Sequence, residues 1–362
     1  MKILLITDLY PVMPDEVTTP KTLLNFVKEW EKSGHSVKVI KPNFLFNSFV
    51  RGKKYYKTGW YGNVFNANYF LPFVGNIKNK LREFYAVNFK PDVIIAHMPS
   101  GILFANNLGL PFVAGIHCSD IEVLTKPLYS IYFRGELSKA LKNASCISCR
   151  SFVLKSKLLT SFPEFEQKCF VAPSGVEESF IVNNEKCLNP AQKFKVVTCA
   201  NFKKRKNIDK VILALKGLDN FELTVVGDGS IKKKLEKLDT KVKFLGRLSC
   251  ENVLKVMREH DIFILPSVGE TFGMVYLEAM ASGCITVCSK NEAVDGIIKN
   301  GENGFTVNPD VNEIRDFFKS LSFLSEETLI KIRQNSIETV KKYTQVACAK
   351  NYLDNVTSVF KK

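Results

Sequence analysis

The strongest constraint on the fold is an alternation of short apolar runs with amphipathic segments that passes through the chain twice. The first pass reads KILLIT from Lys2, an amphipathic stretch from Lys21 to Ser33, SVKVIK from Ser36 and DVIIAH from Asp92. It continues with a helical segment from Gly101 to Leu108, FVAGIH from Phe112, a longer helix from Leu128 to Lys142, CISC from Cys146 and CFVAPS from Cys169. The second pass reads KVVTCA from Lys195, a helix from Ile208 to Leu215, ELTVVG from Glu222 and a helix from Ile231 to Leu238. VKFLG from Val242, a helix from Glu251 to Arg258, IFILPS from Ile262 and ITVCSK from Ile285 complete it. Runs this short and this apolar read as strands, and their alternation with helices implies a mostly parallel, doubly wound sheet. Between the passes, Glu178 to Lys193 (ESFIVNNEKCLNPAQK) is polar, carries a proline and reads as a linker. A chain of 362 residues exceeds one ordinary core. Two α/β domains are expected, 1–180 and 181–343, each binding ligands beyond the carboxyl ends of its strands. The remaining segment, 344–362, sets Val346, Tyr352, Leu353, Val356, Val359 and Phe360 at helical spacing.

Hydrophobic residues make up 46% of the chain, with 28 phenylalanines, which fits filled cores and excludes disorder. The opening MKILLITDLY is a strand followed by a polar loop, too short for a secretory signal and without a small-residue cleavage site. No stretch reaches the length that spans a bilayer. The expected compartment is the cytoplasm. Ten dispersed cysteines, mostly in apolar runs, agree with that. Cys146 and Cys149 are spaced like a redox or zinc pair, but no second pair matches them, and strand alternation sends them to opposite faces. They read as buried, reduced thiols.

Chemistry concentrates in Gly269 to Gly283, GETFGMVYLEAMASG. Glu270 follows the strand IFILPS. A helix over Val275 to Ala281 begins near Gly273 and carries Glu278 in its second turn. A helix N-terminus presents unpaired N–H groups and a partial positive charge, which suits phosphate. Gly273 lets the backbone approach such a ligand closely. The carboxylates accept hydrogen bonds from hydroxyls, and a ligand with both phosphates and hydroxyls is a nucleotide-sugar. The competing reading is a strand–loop–helix unit with two solvated glutamates, since acidic residues are common at helix starts. The flanking PSVGETFG and LEAMASG decide against it.

This run resembles the signature of retaining glycosyltransferases of the GT-B fold, glycosyltransferase family 4 in particular. Other stretches carry the same resemblance. In ANFKKRKNID (Ala200 to Asp209), Lys206-Asn207 matches the family's K-N or K-G pair, while the arginine usual five residues upstream is Asn201; Arg205 and Lys203 are the candidate replacements. VVGDGS (Val225 to Ser230) is similar to the family's glycine turn, FLGRL (Phe244 to Leu248) to the loop against the nucleobase, and GENGFTV (Gly301 to Val307) to the turn that follows. GIHCSD (Gly115 to Asp120) resembles the strand-end H-G-x-D pattern with Cys118 in place of glycine. PSGVE (Pro173 to Glu177) resembles the P-N-G-V-D turn before the linker, with Ser174 in place of asparagine. The paired-glycine loop common after the first strand is missing: Asp8 to Pro20, DLYPVMPDEVTTP, has no glycine and offers Thr18 and Thr19 as hydroxyls.

The resemblance implies two Rossmann-like domains facing across a cleft, with the 344–362 helix crossing back onto the N-terminal, acceptor-side domain. It implies a retaining hexosyltransferase that moves a sugar from a UDP- or GDP-sugar to a glycan or lipid-linked acceptor, in cell-surface polysaccharide synthesis. The catalytic residues implied are His117, beside the reacting carbon, and Glu270, on the sugar hydroxyls. Donor binding falls to Arg205, Lys206, Gly227, Gly246, Phe272, Gly273, Met274, Val275 and Glu278, the last on the ribose. Asp120, Thr18 and Thr19 shape the acceptor side or its loop. No Asp-x-Asp pair occurs, so neither metal nor other cofactor is expected, and fixed cations with the helix dipole take the metal's place. His35, His97 and His260 read as structural or surface residues. Two other readings stay open. One is a nucleotide-sugar epimerase of GT-B fold, which would lack the ETFG…LEAMASG arrangement. The other is a catalytically degenerate sugar-binding subunit, motivated by the missing glycines and arginine.

The net charge is +15. Arg51 to Lys90 holds eight basic side chains against Glu83 alone, interleaved with aromatics that include Tyr55, Tyr56, Trp60 and Tyr61. That mixture suits nucleic acid or an anionic membrane surface. No nucleic-acid motif accompanies it. An anionic membrane surface is the expected partner, with the protein peripheral at the inner face; a solvated basic face over core aromatics is the alternative.

Overall fold

The structure is a computed structural model that describes residues 1–13, 16, 21–44, 56–69, 89–125, 131–182 and 193–360. They form two compact units. The first comprises Met1–Arg150, Leu154–Ala172 and Cys348–Lys362, the second Ser151–Val153 and Pro173–Ala347.

In the first unit, β1 (Lys2–Ile6), β2 (Ser36–Phe44), β3 (Gly59–Tyr61), β4 (Val64–Tyr69), β5 (Val93–His97), β6 (Phe112–Ile116), β7 (Cys146–Cys149) and β8 (Cys169–Val171) build one sheet. Its order is β3-β4-β2-β1-β5-β6-β7-β8. Neighbours are parallel except β3 and β4, which form an antiparallel hairpin at one edge. β5 and β6 are buried at every position, which is why their sequences are apolar throughout rather than alternating. The helices are α1 (Thr22–Lys32), α2 (Met98–Leu108), α3 (Cys118–Thr125), α4 (Ile131–Asn143) and α5 (Phe152–Ser161). α2 starts a turn earlier than its apolar periodicity suggests. Met98, at φ 67°, turns the chain, and Pro99 sits in the first helical turn. The chain builds outward from β1 through β2, then returns to β5 and builds the other way, so the topological switch lies between β1 and β5.

The second unit repeats this plan. β9 (Phe194–Cys199), β10 (Phe221–Val226), β11 (Lys243–Gly246), β12 (Ile262–Leu265), β13 (Ile285–Ser289) and β14 (Phe305–Val307) lie in the order β11-β10-β9-β12-β13-β14, all parallel. The helices are α6 (Ile208–Leu215), α7 (Lys232–Glu236), α8 (Cys250–Arg258), α9 (Met274–Ala281), α10 (Val311–Leu321) and α11 (Glu326–Lys341). Ser249, Asp310 and Ser325 cap α8, α10 and α11 by accepting first-turn N–H groups. Here the switch falls between β9 and β12. Both units are Rossmann-like α/β layers on parallel sheets. The terminal helix α12 (Gln345–Phe360) belongs to the first unit from Cys348 onward. There Ala349 accepts a 3.0 Å hydrogen bond from Trp30 Nε1, and Tyr352 is fully buried.

Cys146 and Cys149 are free and buried, and burial pushes the Cys146 thiol up to about 12. Among the described residues no helix is long and apolar enough to cross a membrane. Within the basic–aromatic stretch, only 56–69, Phe89 and Lys90 are described; Arg51, Lys53 and Lys54 lie outside. Lys38 Nζ lies 5.0 Å from the Trp60 ring centre and 5.2 Å from that of Phe89. Trp60 also packs on Phe65 and stays 43% exposed.

Candidate active site

The two loops that leave β9 and β12 emerge side by side, at the switch point of the second sheet. After β9 the chain makes a tight turn over Lys204–Lys206, and Asn207, at φ 51°, opens α6. Asn207 Nδ2 donates to the Pro266 carbonyl at 2.7 Å, and the Val268 amide donates to the Arg205 carbonyl at 2.9 Å. These bonds tie the β9 loop to the β12 loop. Arg205 and Lys206 are thereby set over Glu270.

One oxygen of Glu270 gathers three donors. Oε2 accepts from Lys206 Nζ, from Arg205 Nη1 at 3.2 Å and from Ser267 Oγ at 2.9 Å. Arg205 Nη1 also donates to the Gly269 carbonyl at 3.2 Å. Burial pushes the Glu270 carboxyl up, but Lys206, Arg205 and the Ser267 hydroxyl outweigh it and hold the group below its usual range. Burial draws Lys206 below its usual range against the pull of Glu270. The result is an ionised cluster with two cations beside one carboxylate.

α9 begins next to this cluster. Gly273, at φ 85°, stands at its N-cap, and a Cβ there would lie 2.6 Å from the Tyr276 ring and 3.3 Å from Glu270 Cγ. Only glycine fits both the backbone and the space. Tyr276, fully buried, donates to the Leu265 carbonyl at 2.7 Å and pins the helix under the end of β12. Gly273 brings no side chain to cap α9, and the Tyr276 amide turns back onto the Gly273 carbonyl at 3.2 Å; the positive end of the helix dipole is what this turn offers an anion. Phe272 is buried at this turn, with Met274 and Val275 half-buried.

Glu278 lies in the second turn of the same helix. It is half-buried, and burial pushes its carboxyl up to about 7. Among the described residues its side chain has no hydrogen-bond or ion-pair partner. Its charge is felt at Cys199, the end of β9, whose thiol is pushed up to about 12 by burial and then by Glu278. Gly227 and Gly246 close the neighbouring strand ends: the Gly227 amide donates to the Gly246 carbonyl at 2.8 Å, and a Gly227 Cβ would lie 1.9 Å from the Ala200 carbonyl oxygen.

His117 and Asp120 belong to the first unit. His117 leaves β6, and its amide donates to Asp120 Oδ2 at 2.7 Å while the Asp120 amide donates back to the His117 carbonyl at 3.0 Å. This reciprocal pair fixes the strand-to-helix corner. Burial pushes Asp120 up to about 7 against the His117 amide and Ser119 hydroxyl, with Asp8 adding to the rise. Burial and then the Arg150 guanidinium push the His117 imidazole down to about 3, so the ring is neutral. Its Nε2 lies 3.1 Å from Nδ1 of fully buried His97.

The structure thus brings Arg205, Lys206 and Glu270 into one cluster at the start of α9, and places Glu278 on the same helix. Thr18 and Thr19 lie outside the described residues. Sequence reasoning missed Ser267, present in the PSVGETFG run but assigned no role. It missed Glu292, whose Oε2 accepts the Gly269 amide at 2.9 Å. It also set aside His97, whose partners are remote in sequence.

Comparison with known proteins gives the family and the fold. A family model for Glycosyltransferase Family 4 matches residues 20–180, and one for Glycosyl transferases group 1 matches residues 181–343. An uncharacterized glycosyltransferase of Methanocaldococcus jannaschii is 30% identical over 257 residues, 68% of this chain and 68% of that one. A lipopolysaccharide core biosynthesis glycosyltransferase of Rhizobium meliloti is 23% identical over 335 residues, 91% of this chain and 92% of that one. Among solved structures, sucrose-phosphate synthase from Thermosynechococcus elongatus superposes with a TM-score of 0.74 at 15% identity, covering 99% of each chain. The Anabaena protein HepE in complex with UDP gives 0.72 at 17% identity, covering 99% of this chain and 100% of that one. At such identities the structures establish the shared fold.

Proposed function

The chain belongs to the glycosyltransferases of family 4 and group 1, and from that membership we propose that it moves a hexosyl group from a nucleotide-sugar to a glycan or lipid-linked acceptor with retention of anomeric configuration. The observation that carries the proposal is the pairing of a helix start without a side-chain cap from Gly273, beside Arg205 and Lys206, with Glu278 one turn deeper and without a donor among the described residues. The first suits a diphosphate, the second the hydroxyls of a ribose. Lys206, Arg205 and the α9 dipole stabilise the departing diphosphate, Glu270 holds sugar hydroxyls, and His117 acts beside the reacting carbon. No metal takes part in this mechanism; the fixed cations offset the leaving-group charge.

HepE, solved with UDP and with UDP-glucose, supports this donor class through the shared fold. The lipopolysaccharide relative supports a cell-surface glycan as acceptor. The basic–aromatic stretch around Lys57 and Trp60 supports docking at an anionic membrane surface on the cytoplasmic side, where a lipid-linked acceptor is held. Incubation with a panel of radiolabelled nucleotide-sugars and a lipid-linked acceptor pool tests the reading. Transfer to acceptor with a retained anomer supports it. Isomerisation without acceptor would make the protein an epimerase, and binding without turnover a sugar-binding subunit.

A further inference from the structure

A chain of hydrogen bonds runs behind His117 through the interior of the first unit. Ser148 Oγ lies 2.8 Å from Tyr352 Oη, Tyr352 Oη lies 3.2 Å from His97 Nε2, and His97 Nδ1 lies 3.1 Å from His117 Nε2. Ser148, Tyr352 and His97 are each fully buried. The fold makes room for the middle member. Gly115 pairs with His97 across β6 and β5, and a Cβ there would lie 2.1 Å from the His97 ring. Directly after His97, Met98 adopts a left-handed φ of 67°, a conformation that a residue with a side chain rarely takes.

The direction of the chain follows from its inner end. The Ser148 hydroxyl has Tyr352 as its single side-chain partner among the described residues. If Tyr352 donated to Ser148, the serine proton would be buried without an acceptor, a serious penalty for a group with no water to turn to. Ser148 therefore donates to Tyr352, and Tyr352 donates to His97 Nε2. Burial, then His117 and Arg150, hold the His97 ring neutral, so its one proton sits on Nδ1 and is donated to His117 Nε2. His117, also neutral, then carries its proton on Nδ1, the ring nitrogen with no protein partner among the described residues.

We propose that His97 is a positioning residue for His117, and that Tyr352 and His97 together fix His117 as the Nδ1–H tautomer. In that form His117 offers a substrate oxygen a neutral hydrogen-bond donor and no base, because its other nitrogen is already accepting from His97. That a substrate meets Nδ1 rests on the proposed transferase reading; the tautomer does not.

Long-range proton–nitrogen NMR of the whole histidine-labelled chain reads the tautomer directly, with the four histidines assigned by single substitution. The expected spectrum has His117 protonated at Nδ1 and unprotonated at Nε2. Tyr352→Phe removes the donor to His97 and is expected to shift both His117 nitrogens toward averaged values, and to lower turnover roughly tenfold with donor KM unchanged. Ser148→Ala leaves Tyr352 with His97 as its acceptor and is expected to leave the His117 shifts where they were. A His117 proton on Nε2 in the parent protein overturns the inference, and this readout survives even if Tyr352→Phe fails to fold. An unmoved spectrum in a folded Tyr352→Phe variant overturns it as well. Failure of the transferase reading would look different: an intact Nδ1–H tautomer in a protein that transfers no sugar.

Discussion

Arg205 Nη1 lies 3.2 Å from Glu270 Oε2, so a cation assigned to the diphosphate and a carboxylate assigned to the sugar hold each other. A nucleotide-sugar has to share these groups with their own ion pair. Neutralising Glu270 frees both cations for phosphate. Glu270→Gln is expected to bind a nucleoside diphosphate at least as tightly as the parent, while losing the extra affinity for the sugar-bearing nucleotide. Lys206→Ala is expected to weaken both ligands about 10- to 100-fold, the loss of a charge-assisted hydrogen bond. Isothermal titration with each ligand checks this. Weaker nucleoside diphosphate binding in Glu270→Gln would mean that Glu270 shapes the loop instead of meeting the sugar.

Glu278 sets a pH dependence with opposite signs for binding and stability. Its carboxyl is pushed from an ordinary 4.5 up to about 7 by burial. Between these values the folded chain holds a proton that the unfolded chain has lost. The stabilising contribution is therefore full below 4.5 and is lost as pH rises through about 7, amounting to on the order of 1–3 kcal/mol. Ribose hydroxyls need the ionised form, so donor affinity should rise over the same interval. Glu278→Gln is expected to bind donor more weakly at pH 8 and to flatten both curves. A parent affinity that does not change between pH 5 and 8 would place the ribose elsewhere.

His117→Ala is expected to cut turnover by about 10²–10³, the scale for removing one preorganised donor at a reacting centre, with little change in donor dissociation constant. Equal losses in turnover and binding, or a large drop in thermal stability, would make His117 a structural residue of the β6 corner. Steady-state kinetics beside direct binding separates the two.

The sheets were legible because their strands are buried on both faces and so are apolar at successive positions, as in VIIAH and FVAGI. The start of α9 was legible because Gly273 is demanded locally, by its φ and by Tyr276 three residues on. The ion-pair cluster was not. Glu270 stands 65 residues from Arg205 and 64 from Lys206, and only the adjacency of β9 and β12 unites them. His97 was set aside for the same reason: its partners are 20 and 255 residues away, and Tyr352 reads as one more apolar helix position. The β3–β4 hairpin was hidden in a stretch whose basic and aromatic composition masks strand alternation.

Activity is expected to persist in excess EDTA. In the proposed mechanism, the positive charge of Arg205, Lys206 and the N-terminus of α9 takes the part of a bridging cation. The measurement is sugar transfer before and after chelation. Turnover that falls on chelation and returns with magnesium or manganese would assign part of that charge to a metal.

The last prediction concerns the first unit's basic–aromatic stretch. Lys57 and Trp60 are exposed on the β3–β4 edge, and Lys38 Nζ lies 5.0 Å from the Trp60 ring centre. A basic residue close to an anionic membrane contributes roughly 1 kcal/mol, and an indole ring is suited to headgroup depth. Vesicle sedimentation is expected to show binding that requires anionic lipid and weakens at high salt. Replacing Lys53, Lys54 and Lys57 together by glutamine should reduce binding by roughly 100-fold, three charges at that increment. Trp60→Ala should weaken it further without altering the salt dependence, since the indole contributes no charge. If binding ignores lipid charge, or survives the triple glutamine variant, the basic side chains form a solvated face and the acceptor reaches the enzyme by another route.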